Sequence, residues 1–524
     1  MTGHVFVIQG DIRRFACDAY LHSTDKDLRP HGGWTKSAPE ARDRLPMEMI
    51  ADYKSQRRFT LPLLERPGRH DEPLTILTAV PYYGVRSEKE FAPRLEEFFA
   101  VATAISAGRP GPREHAKRER ALFAVPLFGT GGGGAGRIRG DVFRLVYDES
   151  CKAALKHDVD VAIVLRDPRD YALAQMIRRE APDGAWSKLD GSQLAEARRL
   201  GNLASDARLV PFMGAGISVS AGAPDWTDLV ASLAETAGVD PEIVLKLKKH
   251  DVLDQAAYVR QEFERRFPER PEEFAAAIIK AVDVRRYGLA PAMLAALDAE
   301  QAITLNYDRL FEWAAHDGQR PRRVIPGPSD ASERWLLKLH GSVDSPSSIV
   351  LTRDDYLGFN ADRAALSSLV KATLMTRHLL FVGFGVKDPH FHEIVHDVRR
   401  AVPDKGSPFG TVITLNDDEV LRALWKNDLE FVSLPDPRTL DIFLDAVLAY
   451  GASSYSYLLT TGYLSALPAA DQVVADALKE MIAAVPERAR SAKAWPVVEG
   501  MLRELGWQAE TSKRSWSELP EGIE

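Results

Sequence analysis

Three short stretches of this chain carry side chains able to hold phosphates or move a proton, and each ends an apolar run. The first, Val210-Pro-Phe-Met-Gly-Ala-Gly-Ile-Ser218, passes from apolar residues into Gly214, Ala215 and Gly216. Small residues let a backbone approach a pyrophosphate closely, and N–H groups at a following helix start can bind it. Ser218 adds a hydroxyl at that turn. Strand-to-helix geometry alone also asks for glycine, and the segment is not the six-residue dinucleotide fingerprint. The second stretch, Thr304-Leu-Asn306-Tyr-Asp308, offers an amide that can hold a ribose hydroxyl and an attacking water together. The third, Leu337-Lys-Leu-His340-Gly-Ser342, offers an imidazole able to accept a proton from either. Taken singly, Asn-x-Asp is a common turn element, and a histidine before glycine is commonly structural.

Two later stretches repeat the pattern. Leu380-Phe-Val-Gly383-Phe-Gly385-Val-Lys-Asp388-Pro389 ends an apolar run in glycines, and Val412-Ile-Thr-Leu-Asn416 ends one in asparagine. Near the amino terminus, Val7-Ile-Gln-Gly10-Asp11-Ile12 ends a run at a carboxylate. The stretch Phe128-Gly129-Thr130-Gly131-Gly132-Gly133-Gly134-Ala-Gly136 holds six glycines in eight residues from Gly129. So many glycines are costly to order; close backbone contact with a ligand is one explanation, an unliganded flexible surface loop the other.

The elements that must position these residues follow from apolar patterning. Runs at Val5–Ile8, Leu74–Val80, Leu122–Phe128 and Val159–Leu165 predict strands, with helices at Glu88–Ala104 and Asp141–Ala154 between them. That alternation predicts an α/β unit over residues 1–180. Small, polar residues at Ala181–Gln193 predict a linker. Beyond it, Leu209–Met213, Ile303–Leu305, Trp335–Leu339, Leu379–Phe384, Thr411–Leu415 and Phe431–Leu434 predict strands, with helices at Trp226–Thr236, Pro271–Val282 and Arg363–Thr376. This is the rhythm of a Rossmann-like, doubly wound parallel sheet over 200–445, followed by a helical C-terminal region over 446–524. Ligand sites in such sheets form at the carboxyl ends of strands, so Asn306 and His340 are expected to face one crevice.

A length of 524 residues suits about three units. The net charge of −8 gives no nucleic-acid footprint, and the basic stretch Gly108–Arg120 predicts a solvated, exposed loop. Two cysteines, Cys17 and Cys151, suit a reducing compartment and offer no disulfide framework. With no signal core at Met1–Gln9 and no apolar run long enough to span a membrane, the expectation is a cytoplasmic protein.

The order glycine turn, Asn-x-Asp, His-Gly, together with Ala221-Gly-Ala-Pro224-Asp225-Trp226, resembles the sirtuin family. Trp226 and Thr227 stand where that family has phenylalanine and arginine, and Leu305 stands where it has glutamine. The resemblance implies NAD held by Gly214, Ala215, Gly216 and Ser218, with Pro224 and Asp225 on a mobile loop over it. It implies Asn306 and His340 as catalytic, Asp308 in the nicotinamide pocket, Gly383 and Gly385 beside the ribose, and Asn416 near the adenosine. Asp354-Asp-Tyr356 after Val350-Leu-Thr352 is similar to a segment of the bacterial anti-phage branch. The amino-terminal unit resembles a macrodomain, which implies a ligand site formed by Asp11, Gly129, Thr130, Gly131, Gly132 and Gly133. Leu21-His-Ser-Thr24 stands where macrodomains have paired asparagines.

Sirtuin deacetylases carry a structural zinc on four cysteines, and this chain has two, both before the sirtuin-like region. NAD as substrate without zinc is therefore expected. The implied activity is a regulated NAD+ hydrolase of anti-phage defence, coupled to a nucleotide-sensing amino-terminal unit and held mostly inactive until homo-oligomerisation or a partner protein triggers it. The alternatives are a mono-ADP-ribosyltransferase and a non-enzymatic nucleotide-binding subunit of a larger complex.

Overall fold

A computed structural model describes residues 3–28, 45–63, 72–81, 85–109, 111–131, 134–328, 332–403 and 406–508. The first sheet contains β1 (Val5–Gln9), β2 (Ala19–Thr24), β3 (Thr60–Leu63), β4 (Leu74–Ala79), β5 (Leu122–Pro126) and β6 (Asp160–Leu165). Its order is β1-β6-β5-β2-β4-β3, parallel except for the edge strand β3, which runs antiparallel to β4. Strands β1, β5 and β6 are near-continuous apolar runs because helices cover both their faces. β2 and β3 went unpredicted: β2 alternates into His22, Ser23 and Thr24, and β3 contains Pro62, which an edge strand tolerates.

The second sheet contains β7 (Leu209–Met213), β8 (Gln301–Thr304), β9 (Arg323–Ile325), β10 (Trp335–Lys338), β11 (His378–Val382), β12 (Gly410–Thr414) and β13 (Leu429–Ser433). Every pair is parallel, in the order β13-β12-β11-β7-β8-β10-β9. The chain steps from β7 to β8 and onward to that edge, then returns to lay β11 on the other side of β7. The crevice for a ligand is expected where the order reverses, at the carboxyl ends of β7 and its neighbours. Three helices, Trp226–Ala237, Val252–Arg266 and Glu273–Val282, pack a separate apolar cluster of Leu229, Leu233, Ala256, Val259, Phe263 and Ile278 over this end. The predicted helix at Arg363 begins earlier, at Arg353, and non-helical dihedrals at Arg363 mark a break within it.

The expected linker at 181–193 is a packed strap. Trp186 is 1% exposed and its indole N–H donates to Asp445 at 2.9 Å. Composition hid this because Ala185, Trp186 and Leu189 are buried among small and polar neighbours. The Asp445 carboxylate also takes a bidentate contact from Arg178 and pairs with His4 Nε2 at 3.0 Å. One continuous core links the first sheet to helices Gly191–Ser205, Leu289–Ala296 and Pro437–Gly451.

The basic stretch 108–120 is not simply a solvated loop. It contains the short helix Gly111–His115 and lies on the second unit. The His115 ring occupies the space a Cβ on Gly222 would need, and Arg118 donates to Asp18 at 2.9 Å and to the Ser220 carbonyl at 3.5 Å. Lys117 pairs with Asp225 and Asp228. These charges find carboxylates distant in sequence, which composition alone does not reveal. Up to residue 508 the C-terminal region is helical, as expected, with helices Ala469–Ala484 and Trp495–Glu504; residues 509–524 lie outside the described residues. Ahead of them, Tyr463 donates to Asp170 at 2.7 Å and so ties this region to the first unit. No helix among the described residues is long and apolar enough to cross a membrane.

Candidate active site

The two glycine turns meet at the switch point. Gly214 N–H donates to the Val382 carbonyl at 3.0 Å, and Gly216 N–H to the Gly383 carbonyl at 3.2 Å. A Cβ on Gly214 would lie 2.3 Å from the Gly383 oxygen, and Gly383 itself has φ of +64°. Backbone packing alone therefore requires glycine here. Gly383→Ala is expected to lower the unfolding free energy by about 1–3 kcal/mol, from the left-handed backbone and the contact with Ile217 N, measured by urea titration.

Beside these turns, the end of β8 is built as a hydrogen-bonded unit. Thr304 Oγ1 donates to the Met213 carbonyl at 3.3 Å and accepts from Asn306 N–H at 3.0 Å. Asn306 Nδ2 donates to Ser218 Oγ at 3.1 Å, and that hydroxyl donates to Asp308 at 2.8 Å. Asp308 also accepts from Leu310 N–H at 2.9 Å, at the start of the next helix. Below the turn, the buried Lys338 amine donates to the Tyr307 carbonyl at 3.1 Å and to Glu312 at 2.7 Å, and also reaches the Asp308 carbonyl. It locks the strand end that carries the amide.

A cavity of about 310 Å³ opens over these residues. Asn306, Asp308 and His340 line it together with Gly214, Ala215 and Ser218. Gly383 and Gly385 close one side, while Pro224 and Asp225 with Trp226 form another. Gly216 is not among the lining residues; its backbone lies against Gly383. Asn416 is exposed at the end of β12, outside the cavity lining, where its N–H donates to Thr414 Oγ1 at 3.2 Å. Asp225 caps helix Trp226–Ala237, accepting from Asp228 N–H at 2.9 Å, so this loop's path is fixed by the helix it starts.

His340 is 3% exposed. Burial pushes its pKa down to about 4; Asp388 opposes this, and His390 and Arg363 add to it. The imidazole is therefore neutral at physiological pH, as a proton acceptor must be. The acid limb of kcat/KM is expected near pH 4, because activity requiring a neutral base is lost only as pH falls through its folded pKa. A limb near 6.5 in a pH–rate profile would count against His340 as that base.

Tyr356, Asp388 and Lys338 lie within the sequence motifs, but residue type and spacing alone assign none of them a role. Thr352 and Asp355 form a capping box that starts Arg353–Thr376 and delivers Tyr356 to the cavity wall. Asp388-Pro389 is a helix-start signature that sets a carboxylate on the cavity just past the second glycine turn. His340, Asp388 and His390 also bring ligand atoms within 4.8 Å of one another, close enough for a single divalent cation.

The expected amino-terminal ligand residues have structural partners. Burial works to raise the Asp11 pKa, but bonds from the Arg13 backbone at 3.0 Å and guanidinium at 2.7 Å override it and hold the carboxyl low. Asp11 N–H donates to Tyr287 Oη at 2.8 Å, across the seam to the second unit. Gly129 has φ of +74° and faces the Phe91 ring, Thr130 is 8% exposed, and Gly131 borders open space. Gly132 and Gly133 lie outside the described residues.

Residues 300–430, which carry Asn306, His340 and the second glycine turn, match the SIR2-like domain family. The chain is also similar to NAD(+) hydrolase ThsA of Enterococcus faecium, 28% identical over 210 residues, which are 38% of this chain and 41% of that protein. NAD(+) hydrolase ThsA of Bacillus cereus (strain MSX-D12) is 28% identical over 196 residues, covering 36% and 40% respectively. Defense-associated sirtuin 2 of Bacillus subtilis is 26% identical over 226 residues, covering 41% and 22%. The matched part of the chain thus spans about two fifths or less of these relatives' length. Among solved structures, a macrodomain of Oceanobacillus iheyensis with MES bound superposes at a TM-score of 0.24 and 14% identity, covering 34% of this chain and 91% of that one.

Proposed function

We propose that this protein is a regulated NAD+ hydrolase that depletes NAD in anti-phage defence. One observation carries the reading: the Asn306 amide and His340 imidazole line the same cavity as two glycine turns at a sheet switch point. In this reading the turns hold the pyrophosphate and Asp308 meets the nicotinamide carboxamide. Asn306 holds a ribose hydroxyl and a water. Nicotinamide leaves with the electron pair of its bond to the ribose carbon, giving an oxocarbenium-like ribose. The water oxygen bonds to that carbon and its proton passes to His340, then to solvent. The products are nicotinamide, ADP-ribose and a proton.

Unrestrained NAD hydrolysis would be toxic, so the active form should be the minor population until triggered. The seam supplies a physical means. His115, Lys117 and Arg118 of the first unit hold Gly222, Asp225 and Ser220, on the loop that leads into the cavity wall. Lys117→Glu is expected to raise basal nicotinamide release, by no more than about five-fold, since an exposed ion pair contributes only about 0.2–1 kcal/mol. A regulatory nucleotide at the first unit, homo-oligomerisation or a partner protein would supply the larger push.

The test is to incubate the purified chain with NAD labelled in the ADP-ribose moiety, alone and with candidate nucleotides, and follow both products. Free labelled ADP-ribose in step with nicotinamide supports hydrolysis. Label attached to a macromolecule would replace it with mono-ADP-ribosyl transfer.

A further inference from the structure

We infer that Asp388 is the positioning carboxylate of His340, clamped in place by Tyr356; this rests on the hydrolase reading above. Asp388 Oδ2 lies 3.6 Å from His340 Nε2, with both side chains under one tenth exposed. That distance suits an ion pair and is too long for a hydrogen bond. Tyr356 Oη donates to the same carboxylate oxygen at 2.7 Å, while Oδ1 accepts from Phe391 N–H at 3.0 Å. Both carboxylate oxygens are thus held by groups other than the imidazole.

Tyr356 is itself locked. Its ring stacks on His390 with centroids 4.4 Å apart and planes 8° from parallel, and His390 Nε2–H donates to the Tyr356 carbonyl at 2.9 Å. The His340 ring meets the Tyr356 ring edge-on at 5.3 Å. Geometry therefore fixes His340 against one rigid aromatic and one anchored carboxylate.

The chemistry explains the need. When water gives its proton to His340, an imidazolium forms where water is scarce and Arg363 already contributes positive charge. A buried cation without a counter-charge is strongly disfavoured. Asp388 supplies that charge, and across 3.6 Å it forms an ion pair with the imidazole once that ring gains its proton.

Asparagine is as good a helix cap as aspartate, so Asp388→Asn keeps the cap at Phe391 while removing the charge. In the full-length protein, Asp388→Asn is expected to lower kcat for nicotinamide release about 10–100-fold, with KM within about threefold and Tm unchanged. Tyr356→Phe is expected to lower kcat a few-fold by loosening the carboxylate. Native kcat in Asp388→Asn would overturn the inference while leaving the hydrolase reading intact, provided His340→Ala is dead. A rise in KM with unchanged kcat would also overturn it, making Asp388 a substrate contact. So would loss of native activity in EDTA restored by a divalent metal, which would make the trio a metal site. If Asp388→Asn fails to fold, native kcat in Tyr356→Phe overturns the inference by itself. Turnover retained in His340→Ala, or a native chain that never releases nicotinamide, removes the hydrolase reading and this inference together.

Discussion

Asn306→Ala and His340→Ala are each expected to release nicotinamide at least about 10³-fold more slowly than the native chain, while keeping its cooperative unfolding. The size follows from what each side chain loses. Asn306 orients water and ribose, and effective concentration in such sites contributes many factors of ten. His340 accepts the proton, a role that contributes about 10²–10⁴-fold. The local fold tolerates both changes. The backbone of Asn306 is held by Thr304 Oγ1, and the His340 carbonyl accepts from Val350 N–H at 2.9 Å, so both strand ends keep a backbone anchor when the side chains are truncated. Ser218 keeps its bond to Asp308 when the amide is removed. The effects should not add: without Asn306 there is no aligned water for His340 to deprotonate, and without His340 the aligned water keeps its proton.

Asp445→Ala is expected to cost about 3–5 kcal/mol of stability, read as a fall in the urea midpoint at constant slope. Arg178, His4 and Trp186 all converge on this fully buried carboxylate. Burial alone would raise its pKa, but Arg178 and His4 overcome that and hold it at about 2. Removing it leaves an uncompensated guanidinium at zero exposure beneath β1. The loss should propagate. His4 and Arg178 belong to the first unit, Trp186 to the strap, and Asp445 to helix Pro437–Gly451, so one substitution loosens three segments of one core. A midpoint shift equivalent to less than about 1 kcal/mol would mean that the cluster is no more than an exposed ion pair in effect.

Burial on both faces of a strand decides how much of it could be read from sequence. Strands β1, β5, β6, β7 and β11 are buried on both faces, so their composition alone marks them. The polar side chains that follow two other strands, β8 and β10, could be assigned to one crevice because strand ends in such sheets share an edge. Side-chain direction beyond a strand end was less legible. Asn416 and Asp388 both follow strands of this sheet, yet Asp388 is turned into the cavity by the helix it caps, and Asn416 faces outward. The seam was not legible, because Lys117 meets Asp225 and Asp228 more than a hundred residues away. No local pattern encodes that pairing. Asp11 illustrates the same limit: its type fits a ligand contact, and no sequence pattern shows that its carboxylate pairs with Arg13 while Tyr287 Oη bonds its backbone.

The most direct measurement is a crystal structure of the His340→Ala chain soaked with NAD. The account predicts the pyrophosphate on the turns at 214–216 and 383–385. It also predicts the scissile ribose carbon facing position 340, with a water about 3–3.5 Å away held by the Asn306 amide. Dinucleotide bound with that ribose turned from both positions, or seated only in the first unit, would contradict it.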